Sequence, residues 1–354
     1  MTNTPQTPED NNKRNRNIII AMSAVLLLLL VVVLITIIGK KGDGTVTLSD
    51  LATPAPPQTI EATATPAPTD TPEPTAEPEY ILNAKFADKF TDGEVIVTEN
   101  SYQSKNIYFE IQHITVEDEY SVTYHVADIY VRDIKYFRTA FAKGEYGQGI
   151  RDSFPKIVQE NNAILALTGD FYSMSAIGLV FRNGEIYRDT MWGDVFAMYN
   201  DGSMESIPEA EVDINKMIQT GGGVYQAWSF GPMLLTDGRP MEKFNQKKQI
   251  YGKNPRSAIG YYEPGHYCFV TVDGREQNDS VGMNLRELSQ LFYDLGCVEA
   301  YNLDGGGSAK MMFYTEMVNS PSSSFREISD IIYLIDDEGL AEAEAAAQED
   351  AQTP

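Results

Sequence analysis

Two kinds of hydrophobic pattern divide the chain. An uninterrupted apolar run from Ile18 to Ile38, which includes five consecutive leucines, is long enough to cross the roughly 30 Å hydrocarbon layer of a bilayer as a helix. From about residue 81 the pattern changes to short apolar or alternating segments separated by glycine turns, which predicts strands. The clearest of these segments are 107–114, 120–131, 162–167, 267–272 and 298–303.

One helix is predicted between the last two of these strands. Asn284 followed by Glu287 forms an Asn-x-x-Glu capping pattern, and Gly296 supplies the stop. Between them apolar side chains recur at helical spacing, at Leu285, Leu288, Leu291, Phe292 and Leu295. A strand, a helix and a second strand of the same direction form a βαβ unit. The predicted fold class is therefore α+β, a mixed twisted β-sheet core with a βαβ unit near the C-terminus, preceded by an N-terminal transmembrane helix and a disordered linker.

Each strand of the predicted βαβ unit ends in an aspartate that opens a glycine turn. Asp273 follows the first strand in Val-Asp-Gly-Arg, and Asp304 follows the second in Leu-Asp-Gly-Gly-Gly-Ser. Because parallel strands end on the same edge of a sheet, where open α/β sheets bind ligands, we expect the two carboxylates to lie near each other. Asp-Gly is also a common turn dipeptide, so either motif taken alone favours a plain tight turn.

The flanking segments predict the domain organisation and the location. Lys13, Arg14 and Arg16 precede the apolar run, and no small-residue cleavage site follows it, which favours an uncleaved anchor over a signal peptide. Residues 51–80 hold eight of the 18 prolines, a composition typical of an extended stalk. We therefore predict a single-pass protein of the cell membrane with its main domain extracytoplasmic. Its parts are a short cytoplasmic tail (1–17), a transmembrane anchor (18–38), a Pro/Thr-rich linker (39–80), a domain (81–335) and an acidic tail (336–354).

Charge and cysteine content narrow the chemistry. The net charge of −24 argues against nucleic acid as a partner, because phosphate-backbone binding needs a basic surface. An anionic substrate would need local cations, for which the candidates are Arg256, Arg275 and Lys310. Cys268 and Cys297, the only cysteines, belong to the two predicted strands at different heights, which favours buried free thiols over a disulfide.

The sequence lacks the residues that several enzyme classes require. The three histidines show neither metal-ligand spacing nor a His-Glu-x-x-His helix, which argues against a zinc hydrolase. Gly-x-Ser-x-Gly is absent, which argues against an α/β-hydrolase. The turn 305–308 could hold phosphate through backbone N–H groups, but it lacks the Gly-Lys-Ser/Thr ending of a nucleotide P-loop. The remaining inventory of Asp, Asn, Arg and Ser suits a sugar or phosphate ligand.

Six motifs in a fixed order resemble the phosphodiester glycosidase domain family. They are Thr168-Gly169-Asp170-Phe171-Tyr172, Phe230-Gly231-Pro232, Asn254-Pro255-Arg256-Ser257-Ala258-Ile259-Gly260, Val272-Asp273-Gly274-Arg275, Ser280-Val281-Gly282-Met283 and Asn302-Leu303-Asp304-Gly305-Gly306-Gly307-Ser308. The resemblance covers residues 160–335, with Thr168 standing where the family usually has asparagine. It implies a hydrolase that cleaves a sugar-1-phosphodiester at the sugar side, in envelope or exopolysaccharide glycans, and releases free sugar and a phosphomonoester.

The resemblance also implies roles for individual residues. A departing phosphate needs little general-acid help, so the remaining tasks are to stabilise an oxocarbenium-like centre and the phosphate itself. The implied catalytic carboxylates are Asp170, Asp273 and Asp304. The implied substrate-binding residues are Arg256 and Arg275 on the phosphate, with Ser280, Asn302, Gly305, Gly306 and Ser308 around them.

The partners expected are a phosphorylated glycan or sugar phosphodiester and, through the anchor, a membrane. No cofactor is expected. The alternative left open is a non-catalytic glycan- or calcium-binding protein of the cell envelope. In that case Asp273 and Asp304 would hold a divalent cation such as calcium.

Overall fold

The computed structural model describes residues 82–245 and 250–337. The predicted cytoplasmic tail, anchor and linker, and nearly all of the acidic tail, lie outside these ranges. Within them no helix is both long enough and apolar enough to span a membrane.

The described residues are rich in strands. In chain order these are β1 (Ile96–Val97), β2 (Ser101–Gln103), β3 (Ile107–Glu117), β4 (Ser121–Val131), β5 (Phe137–Phe141), β6 (Leu165–Thr168), β7 (Val180–Arg182), β8 (Glu185–Arg188), β9 (Val195–Tyr199), β10 (Met204–Ile207), β11 (Val224–Trp228), β12 (Met233–Thr236), β13 (Arg239–Pro240), β14 (Arg256–Glu263), β15 (His266–Val272), β16 (Glu299–Asn302), β17 (Met311–Phe313), β18 (Glu316–Met317) and β19 (Asp330–Leu334).

Helices are few and short in the same part of the chain. The α-helices are α1 (Phe154–Glu160), α2 (Ile214–Met217) and α3 (Leu285–Asp294). The 3-10 helices are Ala84–Lys89, Ile134–Tyr136, Ala142–Gly144, Tyr172–Met174, Glu209–Glu211 and Gly306–Ser308. The prediction of α3 is confirmed in detail. Asn284 Oδ1 accepts from the N–H of Glu287, and Glu287 Oε2 accepts from the N–H of Asn284, which is a capping box.

The strands form three sheets. The largest has nine strands in the order β1-β2-β3-β4-β15-β14-β16-β12-β13. The other two have five strands each, in the orders β10-β9-β11-β7-β8 and β18-β17-β6-β19-β5. One core cluster takes side chains from all three sheets, among them Phe109, Leu167, Phe196 and Phe269. The three sheets therefore pack around one shared hydrophobic cluster.

The prediction of a mixed sheet is wrong for the described residues, whose strand pairs are all antiparallel. Strands β15 and β16 run in the same direction, but β14 lies between them and is antiparallel to both. The reason is a hairpin: β14 turns at Pro264 and Gly265 directly into β15. Helix α3 therefore crosses over β14, and Asp273 and Asp304 are separated by the width of a strand.

The two cysteines meet on this crossover. Cys268 and Cys297 are buried free thiols, as predicted, but their Sγ atoms lie only 3.7 Å apart. They approach over Gly260 of β14, where an added Cβ would lie 2.7 Å from each sulfur. A glycine at this position leaves room for the side chain of Cys268 on β15 and that of Cys297, between α3 and β16, to come together.

Candidate active site

Three chain segments converge beside the glycine turn that follows β16. Asp304 N donates to Gly169 O (3.1 Å), Leu303 N donates to Ser257 O (2.8 Å), and Gly306 N donates to Pro255 O (2.9 Å). These backbone bonds bring together the end of β6, the start of β14 and the end of β16. A cavity of about 200 Å³ opens at the junction.

Most of the substrate-binding residues implied by the motifs line this cavity. The predicted residues found there are Arg256, Arg275, Asn302, Asp304, Gly305 and Gly306. Phe230 and Asn254 complete much of the wall. Two guanidinium groups and one carboxylate thus share a small space.

Asp304 is the carboxylate of the cavity, and its environment is unusual. Burial raises the pKa of Asp304 to about 7, against a hydrogen bond from Ser308 and the charge of Arg326, which both lower it. The nearby charges of Asp170 and Asp330 raise it further. Asp304 can therefore gain or lose a proton close to neutral pH, which is the behaviour expected of a catalytic carboxyl.

Asp170 lies behind the cavity wall in a buried network. Its Oδ1 accepts from the N–H of Phe171 (2.6 Å) and its Oδ2 from the N–H of Ser229 (3.1 Å). Arg182 Nη2 lies 3.6 Å from the same Oδ2. These contacts fix the orientation of the Asp170 side chain beneath Asp304.

Asp330 and Arg182 complete the network, and the sequence analysis missed both. Asp330 Oδ1 accepts from the N–H of Asp170 (2.6 Å), while Oδ2 accepts from Arg182 Nε (2.9 Å) and lies 2.8 Å from Nη2. Burial raises the pKa of Asp330, and the adjacent Arg182 opposes this shift. A charged residue at the end of an otherwise apolar strand was the available signal, in Val180-Phe181-Arg182 and in Asp330-Ile331-Ile332.

Four cations surround the glycine turn although the chain as a whole is strongly acidic. They are Arg256, Arg275, Lys310 and Arg326, and none has a carboxylate oxygen of the described residues within 4.0 Å. Arg275 Nη2 lies 2.9 Å from where a Cβ on Gly306 would stand. Lys310 Nζ donates to Arg326 O (2.7 Å), and burial lowers the pKa of Lys310 to about 8. The carboxylates that act on these cations, Asp304 and Glu287, do so without forming an ion pair with them, which favours an anionic ligand.

Arg256 also holds the backbone of the cavity wall together. Its Nε donates to Met283 O (2.9 Å), and its Nη2 donates to Ile250 O (2.6 Å) and Gly252 O (2.8 Å). Burial lowers the pKa of Arg256 to about 10. The guanidinium therefore has a structural task in addition to its place in the cavity.

The glycine turn presents unpaired backbone donors. The N–H groups of Gly305 and Gly307 have no acceptor among the described residues. At Gly305 an added Cβ would lie 2.8 Å from Pro255 O, so only glycine permits this close approach. Asn302 donates from Nδ2 to Gly231 O (2.8 Å), while its buried Oδ1 accepts no bond from the described chain. Two donors and one acceptor thus remain for a ligand.

The remaining predicted residues do not line the cavity. Ser308 is buried and hydrogen-bonds Asp304 from behind. Ser280 Oγ donates to Asp273 O (2.7 Å) and accepts from Thr123 N (3.0 Å), so its role is to close a turn. Asp273 is fully buried, and its carboxylate oxygens accept from His125, Asn278, Asn319 and the N–H of Ser320.

The predicted proximity of Asp273 and Asp304 therefore does not produce one shared site, because β14 separates the two strand ends. Among the residues that the structure describes, no group of three or more His, Cys, Asp or Glu side chains is arranged to hold a metal ion. Thr168, which replaces the usual asparagine of the family, donates from Oγ1 to Ser308 O (2.5 Å). Its side chain thus supports the glycine turn.

Part of the chain matches a known protein family. Residues 161–335 match the family described as Phosphodiester glycosidase, which confirms the resemblance carried by the motifs. The chain is 26% identical over 173 residues to the mouse (Mus musculus) N-acetylglucosamine-1-phosphodiester alpha-N-acetylglucosaminidase, which covers 45% of this chain and 33% of that protein. It is likewise 26% identical over 185 residues to the SPbeta prophage-derived uncharacterized protein YomE of Bacillus subtilis, with coverage of 50% and 28%. The chain thus spans about a third or less of the length of these curated relatives.

Solved structures share the fold. The catalytic domain of the zebrafish N-acetylglucosamine-1-phosphodiester alpha-N-acetylglucosaminidase aligns with a TM-score of 0.54 and 19% identity, over 69% of this chain and 88% of that chain. A hypothetical protein from Synechocystis aligns with a TM-score of 0.50 and 14% identity, over 65% and 62%. At these identities the likeness concerns the architecture alone.

Proposed function

We propose that this protein is a hydrolase that cleaves sugar-1-phosphodiesters at the bond between the anomeric carbon and the phosphate oxygen. The observation that carries the proposal is the pairing, in one cavity, of a buried carboxyl that titrates near neutrality with two arginines that lack a carboxylate partner. The family match and the relatives that act on N-acetylglucosamine-1-phosphodiesters support the same reaction class.

The phosphate would bind at the cationic side of the cavity. Arg275 and Arg256, which both line the cavity, would contact its oxygens, and the N–H groups of Gly305 and Gly307 would donate to the charge that develops as the bond breaks. Asn302 Oδ1, which has no donor of its own, would accept from a sugar hydroxyl.

Asp304 would act at the anomeric carbon. Its ionised carboxylate stabilises the positive charge of an oxocarbenium-like transition state, and the leaving phosphomonoester departs without strong protonation. Because burial holds the pKa of Asp304 near 7, the ionised fraction grows as the pH rises through neutrality. We expect kcat/KM to rise over the same interval.

We further propose that the protein works at the outer face of a membrane, on envelope or exopolysaccharide glycans. The apolar segment 18–38 and the proline-rich segment 51–80 support this location. Digestion of intact cells with an added protease tests it: the domain should be cleaved from outside, and full protection would place it on the other side.

The direct test of activity is turnover by the full chain in detergent micelles. A panel of sugar-1-phosphodiesters differing in sugar, anomer and aglycone is incubated with and without chelator, and free reducing sugar is measured. Release of sugar from at least one member supports the proposal. Binding of glycans without release would favour the non-catalytic alternative, and release that chelator abolishes would establish a metal requirement.

Replacing Arg275 with glutamine should weaken binding of the phosphate selectively. We expect KM for the sugar-1-phosphodiester to rise about tenfold, since a hydrogen bond to a charged group is worth about 1.5–3 kcal/mol and 1.4 kcal/mol is a factor of ten. An aryl glycoside of the same sugar offers no phosphate oxygens, so its KM should change little. Equal losses on both substrates would remove Arg275 from phosphate binding.

Replacing Asp330 with asparagine should move the pH dependence of turnover. The negative charge of Asp330 raises the pKa of Asp304, so its removal should shift the rise of kcat/KM with pH to lower pH. Asp336→Asn is the matched control, because Asp336 is equally buried but bonds Tyr102 and Asn106. Both variants should lose stability, but only Asp330→Asn should move the profile; an unchanged profile would contradict the prediction.

A further inference from the structure

A single buried carboxylate joins two loops that border the glycine turn. Asp273 Oδ2 accepts from Asn278 Nδ2 (2.9 Å), on the loop 274–280. Asp273 Oδ1 accepts from Asn319 Nδ2 (3.1 Å) and from the N–H of Ser320 (2.9 Å), at the start of the loop 319–327. The fourth contact is from His125 of β4, whose Nε2 lies 3.3 Å from Oδ2.

Each of these loops carries one arginine to the glycine turn. The loop 274–280 carries Arg275, whose guanidinium lies against Gly306. The loop 319–327 carries Arg326, whose Cγ lies 3.6 Å from where a Cβ on Gly307 would stand. Ser322 Oγ of the same loop donates to Gly306 O (3.4 Å). Arg275 thus approaches the turn with its guanidinium, and Arg326 with the aliphatic part of its side chain, while the guanidinium carbon of Arg326 lies 5.9 Å from the centre of the Phe171 ring.

Asp273 is poorly placed for chemistry of its own. It is fully buried, and all four donors to its carboxylate come from the protein. A carboxylate with this many donors has little capacity left to accept from a substrate or to bind an anomeric centre.

We propose that Asp273 is a positioning residue that holds Arg275 and Arg326 as a two-sided clamp on the phosphate of the substrate, with Arg326 as a phosphate-binding residue that the motifs do not contain. This inference rests on the proposed function, because it assigns the clamp to the leaving phosphate. The clamp explains why two loops that each carry one arginine are tied to one carboxylate in a chain whose net charge is −24.

Asn278 offers a mild way to test the connection. It is exposed and has a positive φ of 50°, so glycine suits its backbone while removing the amide that bonds Asp273. Asp279→Gly is the matched control: its φ is 55°, it lies in the same loop, and it is not among the described residues that hydrogen-bond the Asp273 carboxylate. Any effect of added backbone freedom is common to both variants.

The experiment measures calorimetric binding of inorganic phosphate and turnover of a sugar-1-phosphodiester by the full chain in detergent. The variants are Asn278→Gly, Asp279→Gly, Arg275→Gln, Arg326→Gln and the double changes of Asn278→Gly with each arginine. We expect Asn278→Gly to raise Kd and KM about three- to tenfold, with kcat nearly constant; this is less than the loss of a direct hydrogen bond to the phosphate, because Asn278 acts only through Arg275. Asp279→Gly should not weaken binding.

The double variants separate positioning from general destabilisation. If Asn278 acts through Arg275, its effect should nearly vanish in the Arg275→Gln background and persist in the Arg326→Gln background. If Asn278→Gly raises Kd by the same factor in both backgrounds, or if Arg326→Gln does not weaken phosphate binding, the clamp is overturned. Wild-type phosphate binding without turnover would defeat the proposed function while leaving the clamp testable by Kd; absence of phosphate binding would overturn the clamp itself.

Discussion

Asp304→Asn is expected to reduce turnover of a sugar-1-phosphodiester by about two to four orders of magnitude, the usual loss for a group that stabilises charge in a transition state. The substitution keeps the volume and the hydrogen-bonding capacity of the side chain but removes the negative charge that an electron-poor anomeric carbon needs. The measurement is kcat/KM across pH 5–9, in which the rise near neutrality should disappear. Turnover close to that of the wild type would remove Asp304 from the mechanism.

The same substitution should affect stability with a definite sign. Burial raises the pKa of Asp304 from 3.8 to about 7, so the stabilisation linked to its protonated form is complete below pH 3.8 and is lost as the pH rises through 7. Asparagine carries no such loss. The Tm of Asp304→Asn should therefore exceed that of the wild type at pH 8, and the difference should narrow toward pH 4. A lower Tm at pH 8 would show that the charged carboxylate supports the fold.

Arg256→Lys should be damaging although the positive charge is kept. A lysine ammonium cannot reproduce a planar fork that reaches the carbonyls of Met283, Ile250 and Gly252 and still faces the cavity. Each lost bond to a charged group is worth about 1.5–3 kcal/mol, and 1 kcal/mol shifts the Tm of a domain of this size by about 2–4 °C. We therefore expect Tm to fall by about 5 °C or more.

Activity of the Arg256→Lys variant shows whether the guanidinium also binds phosphate. The loss in kcat/KM should be about tenfold larger for the phosphodiester than for an aryl glycoside of the same sugar, because only the phosphodiester offers phosphate oxygens to the guanidinium. Arg132→Lys is a suitable control, since Arg132 is also buried and donates from Nε to a backbone carbonyl, that of Lys105. It should lose stability without favouring either substrate. Proportional losses on both substrates in Arg256→Lys would place the phosphate elsewhere.

Local signals in the sequence predicted the elements that depend on neighbouring residues. The capping box at Asn284 and Glu287 gave the start of α3, and the apolar run before Asp304 gave β16. The pairing of strands was less accessible, because a long-range ladder is decided by packing rather than by local preference. The hairpin that inserts β14 between β15 and β16 illustrates this. Pro264 and Gly265 mark the turn between β14 and β15, but they do not indicate that the other edge of β14 pairs with β16.

The site divides in the same way. Motif residues that touch the cavity through their own turns, such as Asp304, Gly305 and Arg256, could be found from sequence. Asp330 and Arg182 could not, since their partners lie on other strands and only burial makes their charges informative. The resemblance to the family implies a catalytic role for Asp273. The structure places its carboxylate outside the cavity that Asp304 lines, because β14 separates the two strand ends, and this separation could not be read from the two similar turns.

The pairing of β4 with β15 sets a practical limit on how the chain can be shortened. It runs from His266 opposite Tyr130 to Val272 opposite Tyr124, so β15 is covered by a strand that precedes the family match at residue 161. A fragment cut at the family boundaries would leave a long, apolar strand edge with its backbone N–H and C=O groups unpaired. Such an edge recruits further copies of itself, and the fragment would be aggregation-prone even though it contains Asp304 and the arginines of the cavity.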